Sequence, residues 1–139
     1  MKKILVAIDI ARGDGNEMVI KTAQGIAGAM GGEITLLHVI EPAPGHLAGE
    51  VPEGILGKRK IYVDEELDRL VADYGCADSA VREGPPSREI LEYAEKIDAD
   101  LIVLHSHDPD FTNYFLGSVA SRVVRHAHCS VHVVRQADH

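Results

Sequence analysis

The sequence predicts an α/β protein, an open five-stranded parallel sheet with helices on both faces, in a single domain over residues 1–139. Three observations predict it. The apolar pattern switches repeatedly between continuous runs and helical stripes, in the order βαβαβαβαβ. The first run, Ile4-Leu5-Val6-Ala7-Ile8, has no polar interruption, as expected of a strand buried on both faces. Strands alternating with helices join by right-handed crossovers, which gives parallel pairing with helices covering the sheet.

The elements follow in order. After Ile4–Ile8, the residues Val19, Ala23, Ile26, Ala27 and Met30 recur at helical spacing, and Gly31-Gly32 stops that helix. Ile34–Ile40 is the second strand. A connection over 41–58, rich in Pro and Gly, has the length of a lid, a binding loop or a plain insertion. Val63, Leu67, Leu70, Val71 and Tyr74 form the next helix, stopped by Gly75, with Asp64-Glu65-Glu66 and Asp68 as its solvated start and outer face. A weaker strand, Ser79–Glu83, runs into Gly84-Pro85-Pro86-Ser87. Ile90, Leu91, Ala94 and Ile97 make a third helix, whose leading Pro costs nothing because its first N–H groups are unpaired. Leu101–Leu104 is the fourth strand. Ala120, Val123, Val124 and Ala127 make the fourth helix, and Val131–Val134 the fifth strand.

Composition narrows the function. With 14 Lys plus Arg against 22 Asp plus Glu, the chain carries −8, which excludes a general nucleic-acid binder. The apolar runs are far shorter than the ~20 residues that span a bilayer, and Met1-Lys2-Lys3 with its short apolar sequel is too brief for a signal peptide. Cys76 and Cys129 make neither a disulfide framework nor a CxxC, so a cytoplasmic location is expected. Residues 101–139 hold three acids, three bases and six of the eight histidines, so this quarter turns positive on mild acidification.

In open α/β sheets, ligands bind beyond the carboxyl ends of the strands, where the strand order reverses. With the first strand central, that crevice lies between Ala7-Ile8-Asp9-Ile10 and the segment from Leu104 to Ser118. At its far end, Gly117-Ser118-Val119 opens a helix whose free N–H groups and dipole can hold phosphate without a lysine.

These segments, taken together, resemble the universal stress proteins of the UspA superfamily. The residues that carry the likeness are Ile4-Leu5-Val6-Ala7-Ile8-Asp9, Leu36-Leu37-His38-Val39, Gly84-Pro85-Pro86-Ser87-Arg88-Glu89-Ile90, Ala99-Asp100-Leu101-Ile102-Val103, the run from Leu116 to Ala127, and Ser130-Val131-His132-Val133-Val134-Arg135. The resemblance implies a Rossmann-like fold of the adenine nucleotide alpha hydrolase type, with strand order 3-2-1-4-5. It also implies a homodimer, with a tetramer as the alternative, and in one branch bound ATP or another adenine nucleotide with Mg²⁺ or Mn²⁺. That branch carries two glycines upstream of a closing Gly-Ser or Gly-Thr. Gly117-Ser118 matches the close, but the upstream positions fall on Leu104 and His107, or on His105 and Asp108, and none is glycine. The loop Ser106-His107-Asp108-Pro109-Asp110 is more similar to the short-loop F/G-type branch. An acid beside a triphosphate calls for a bridging cation, so Asp108 is the candidate to share Mg²⁺ with the phosphates.

Carried over by position, the resemblance places Ala7, Ile8 and Asp9 beside the adenine or ribose and Val39 at the adenine edge. Leu104, His105, Ser106 and His107 would flank the ribose and phosphates, and Gly117, Ser118 and Val119 would hold the phosphates. The family's dimers imply pairing through Val131, His132, Val133 and Val134. Plainer readings stand beside these: Asp9 as a turn stabiliser, Gly117-Ser118 as an ordinary helix start capped by Ser118.

Other motifs carry less. His105-x-His107 and His126-x-His128 have strand-like spacing, but a closed metal site needs about four ligands, so no dedicated metal site is expected. Cys129, opening an apolar strand, reads as a small hydrophobe, and Gly13-Asp14-Gly15 as a loop. No general base with a matched nucleophile stands out, so the expectation is a stress-response regulator, at most a slow ATPase. The competing expectation is a dimeric scaffold of the same fold that binds no nucleotide. A flavodoxin-like carrier would need a hydroxyl-rich loop where Ile10-Ala11-Arg12-Gly13 stands. A receiver domain would need a phosphoacceptor Asp where the third strand ends in Gly84-Pro85.

Overall fold

The computed structural model describes residues 2–10, 15–41, 53–106 and 117–135. The elements are β1 (Lys2–Ile8), α1 (Asn16–Met30), β2 (Gly32–Ile40), α2 (Glu53–Tyr74), β3 (Asp78–Glu83), α3 (Pro86–Lys96), β4 (Leu101–Ser106), α4 (Ser118–His126) and β5 (Ser130–Arg135). The five strands form one sheet in the order β3-β2-β1-β4-β5, and every adjacent pair is parallel. The expected fold class and strand order are therefore both found.

Side-chain alternation along the central strands sorts the core into two layers. Ile4, Val6 and Ile8 of β1 face α1 and α2, where they join Val19, Ile20, Ala23, Leu36, Val63 and Leu67. Leu5 faces the other way, with Leu37, Ile90, Ile102, Leu104, Ala120 and Val123 under α3 and α4. Ile4, Leu5, Val6, Leu36, Leu37 and Ile102 are fully buried, each worth about 1.5–3 kcal/mol relative to exposure. This two-sided burial explains why β1 carries no polar residue from Ile4 to Ile8.

α1 and α2 stop where the sequence says they should, before Gly31 and Gly75, while Ile97 and Ala127, read as helical, are the C-caps of α3 and α4. Gly31 takes φ +71 and donates its N–H to the Ala27 carbonyl at 2.8 Å, ending α1. The start of α2 is a correction. The sequence placed residues 41–58 in a connection and the helix start at the acidic run, but the helix already begins at Glu53. Once the Val63–Tyr74 stripe is nucleated, each further residue adds a bond, and this outweighs the ~1 kcal/mol cost of Gly54 and of Gly57. Asp64, Glu65 and Asp68 are therefore mid-helix, on the exposed face expected of them. Cys129 also shifts: it lies in the bend before β5, half-buried, and burial pushes its thiol pKa up.

The corner between β3 and α3 is tight. Gly84 adopts φ +146, where a Cβ would lie 2.9 Å from Glu89 Oε1. The Glu89 side chain is buried in the first turn of α3, with the guanidinium groups of Arg82 and Arg88 at 3.9 and 4.0 Å. This corner brings the N-terminus of α3 to the carboxyl end of the sheet.

Candidate functional site

A crevice of about 200 Å³ opens past the carboxyl ends of β1, β2 and β4. Ala7, Ile8 and Asp9 line it from β1 and its end, Leu37, Val39 and Glu41 from β2 and its end, and Leu104 and His105 from β4. Its remaining walls are helix starts: Asn16 begins α1, Pro86 begins α3 with Ile90 one turn on, and Val119 is the second residue of α4. First-turn residues of three helices therefore border one cavity, and each helix N-terminus is equivalent to roughly half a positive charge. The floor is apolar, through Ala7, Leu37, Val39, Leu104 and Ile90. Asp9 and Glu41 are the acids at the rim, and none of these lining residues is Lys or Arg.

The turn after β1 is pinned from two directions. Asn16 Nδ2 donates to the Asp9 carbonyl at 2.7 Å, while Asn16 Oδ1 accepts the Asp9 N–H at 3.1 Å. One residue on, the Ile10 N–H donates to His38 Nδ1 at 3.3 Å. Asn16 and His38 thus supply bonds to the backbone of this turn. His38 is only 5% exposed, and burial holds its pKa below the ordinary imidazole value despite the opposing pull of Asp9 and of the Ile8 carbonyl.

On the other side, Gly117 is the buried N-cap of α4, in extended backbone with φ −62, and it offers no side-chain cap. Ser118 is the first helical residue and exposed, which corrects its reading as the cap. The Gly117 N–H donates to Ser106 Oγ at 3.1 Å, tying the end of β4 to the start of α4. His105 packs against the start of α1, where a Cβ on Gly15 would lie 3.4 Å from its ring.

Of the residues singled out in the sequence, Ala7, Ile8, Asp9, Val39, Leu104, His105 and Val119 share this crevice. Ser106, Gly117 and Ser118 stand at the end of β4 and the start of α4, next to Val119 but not among the lining residues; His107 and Asp108 lie outside the described residues. Val131, His132, Val133 and Val134 lie in the edge strand β5, with His132 exposed and Val134 turned into the core. His126 ends α4, while His128 lies 3.2 Å from Glu95. Among the described residues no three His, Cys, Asp or Glu gather as a metal site. Sequence reading missed Asn16, Leu37, Glu41, Pro86 and Ile90 as lining residues, and it saw His38 only as part of a strand.

The sequence matches the model of the universal stress protein family over residues 1–135. The chain belongs to the universal stress protein family. It is similar to universal stress protein G of Salmonella typhimurium, with 31% identity covering 96% of this chain and 99% of that one. Among solved structures, it resembles UspA of Lactobacillus plantarum, with TM-score 0.78 and 24% identity over 96% of this chain and 97% of that chain. It also resembles a universal stress protein solved in complex with cAMP, with TM-score 0.66, 22% identity and 96% of each chain covered. Among the described residues of this family member, no helix is long and apolar enough to cross a membrane.

Proposed function

We propose that this universal stress protein is a cytoplasmic stress-response regulator that binds ATP or another adenine nucleotide in the crevice between the carboxyl ends of β1 and β4. The observation that carries the reading is the convergence of three helix N-termini over an apolar floor. An adenine ring needs the apolar floor, and Val39 at the end of β2 offers backbone to its edge. Phosphates need N–H donors and positive potential, which the start of α4 supplies without a cationic side chain. The cAMP complex of a protein with this fold supports an adenine ligand. Asp9 and Glu41 make the rim acidic, so a polyphosphate binds best with Mg²⁺ or Mn²⁺ neutralising part of its charge. The role proposed is sensing, with hydrolysis slow at most.

A second reading has its own support. The Gly117 N–H is already taken by Ser106 Oγ, and the rim is acidic, as suits a dimeric scaffold that holds no nucleotide. Calorimetric titration of ATP, with Mg²⁺ and with EDTA, separates the two. Saturable heat with Mg²⁺, weakened by EDTA, supports the nucleotide site. Absence of heat in both, with no adenine nucleotide retained in native mass spectra, supports the scaffold.

A further inference from the structure

His38 stands behind the crevice, on the α1–α2 side of the sheet, and borders a second cavity of about 310 Å³ together with Asp9, Ile10, Glu41 and Tyr62. Its Nδ1 lies 3.3 Å from the Ile10 N–H and 3.3 Å from the Ile8 carbonyl. One nitrogen cannot serve both. Without a hydrogen, Nδ1 accepts from Ile10; with one, it donates to Ile8 and faces the Ile10 N–H hydrogen to hydrogen. The imidazolium always carries hydrogen on Nδ1. Ile10 is itself buried, so its N–H finds no ready replacement in water.

We propose that His38 positions the Asp9–Ile10 corner of the crevice, and that placing a proton on Nδ1 releases this corner and weakens ligand binding on acidification. Asp9 is the ligand-facing residue of that corner, and Ile10 is its anchor in the core. The surroundings set the direction. Asp9 at the end of β1 favours the charged ring, as does the Ile8 carbonyl; Glu41 at the end of β2 and Tyr62 of α2 share the cavity; Val81 of β3 is the apolar register neighbour. Burial opposes the charge and prevails, which disfavours the imidazolium; in the neutral tautomer with its hydrogen on Nε2, Nδ1 accepts from Ile10. His38 is a positioning residue here, since the ring itself is absent from the crevice lining.

The ligand half of the inference rests on the nucleotide reading above; the corner half does not. The test uses the full chain and two variants, His38→Asn, whose amide oxygen can accept from Ile10 and does not titrate, and His38→Leu, which cannot accept. ATP with Mg²⁺ is titrated at about pH 7.5 and about pH 5. The parent should lose about threefold or more affinity beyond the loss of His38→Asn, and His38→Leu should bind weakly at both. Equal losses in parent and His38→Asn, or parent-like binding by His38→Leu at the higher pH, would overturn the proposal. In parallel, the ligand-free parent is followed by NMR. The Ile10 amide should shift with the His38 ring titration and lose its exchange protection as the ring charges. An Ile10 amide indifferent to that titration sinks the corner whatever the nucleotide does. Failure of the parent to bind ATP at all refutes the nucleotide reading, and the Ile10 amide then decides the corner alone.

Discussion

Asn16→Ala removes the two bonds that hold Asp9. They span 2.7 and 3.1 Å, and each hydrogen bond of this kind contributes a net ~0.5–1.5 kcal/mol. Asp9 is exposed, so water takes up the freed backbone groups and the larger penalty for a buried orphan does not apply. Two such bonds come to about 2 kcal/mol, and the better helix propensity of Ala at the start of α1 returns about 0.5 kcal/mol. The net loss is about 1.5 kcal/mol. With about 2.1 cal/mol/K of unfolding entropy per residue over 139 residues, that lowers Tm by about 5 °C. Asn16→Asp should be worse, because a carboxylate oxygen then faces the Asp9 carbonyl where an amide N–H had donated. Urea unfolding and thermal melts of the parent and both variants read these losses, and ATP titration with Mg²⁺ should show weaker binding in both. Unchanged midpoints for Asn16→Ala would refute the pinning of the corner. Lower midpoints with undiminished ATP affinity would refute its role in the crevice.

Further outcomes follow from other corners of the molecule. Gly84→Ala should cost about 1–3 kcal/mol in urea unfolding, since it adds a Cβ at φ +146 and 2.9 Å from Glu89 Oε1; a neutral result would mean that this corner relaxes freely. Gly117→Val should weaken ATP binding by at least ~1.4 kcal/mol, a factor of ten, by placing a branched side chain at the mouth of α4; undiminished affinity in the folded variant would remove the phosphate site. Burial depresses the His38 pKa in the folded state, so the unfolded chain binds the proton more tightly. The stability this gives is complete above the unfolded value of about 6.5 and is lost as pH falls from there through the folded value; parent melts should fall more than those of His38→Asn over that range. Pairing of β5 across a two-fold axis would cover an exposed edge, and paired His132 imidazolium ions would oppose it, so sedimentation should show a dimer at about pH 8 that weakens on acidification less in His132→Leu than in the parent. A monomer at the higher pH would end the dimer reading.

The sheet was legible because its signal is redundant. Most strands and helices of the described residues speak through several apolar side chains, so one misread residue changes nothing; β3, with only Ala80 and Val81, is the weak one. Boundaries were less legible where a single residue decides them. Two glycines in Glu53–Lys60 argued for a loop, yet the cooperative extension of α2 overrode them. At α4, Ser118 has the chemistry of a cap, but Gly117 occupies that position, and its N–H turns to Ser106 instead. Propensity alone does not reveal which of two adjacent residues takes the non-helical backbone.

Ala7, Ile8, Asp9, Leu104 and His105 were legible because strand ends at a topological switch point are positions, not chemistries; Leu37 of β2 was not. Asn16 and His38 were not, because each acts through bonds to backbone groups that only the folded chain brings near. Their placement still follows from the apolar pattern by a further step. Ile34, Leu36 and His38 share one face of β2, and Leu37 and Val39 share the other. The core of Ile34 and Leu36 against α1 and α2 fixes which face that is. Pairing of Ile8 with His38 then sets the ring beside the turn that Ile8 leads into. A slip of one residue in β2 would take Leu36 out of the layer under α1 and α2 and turn His38 toward α3, so the packing that secures the sheet also sets the ring where Ile10 can reach it.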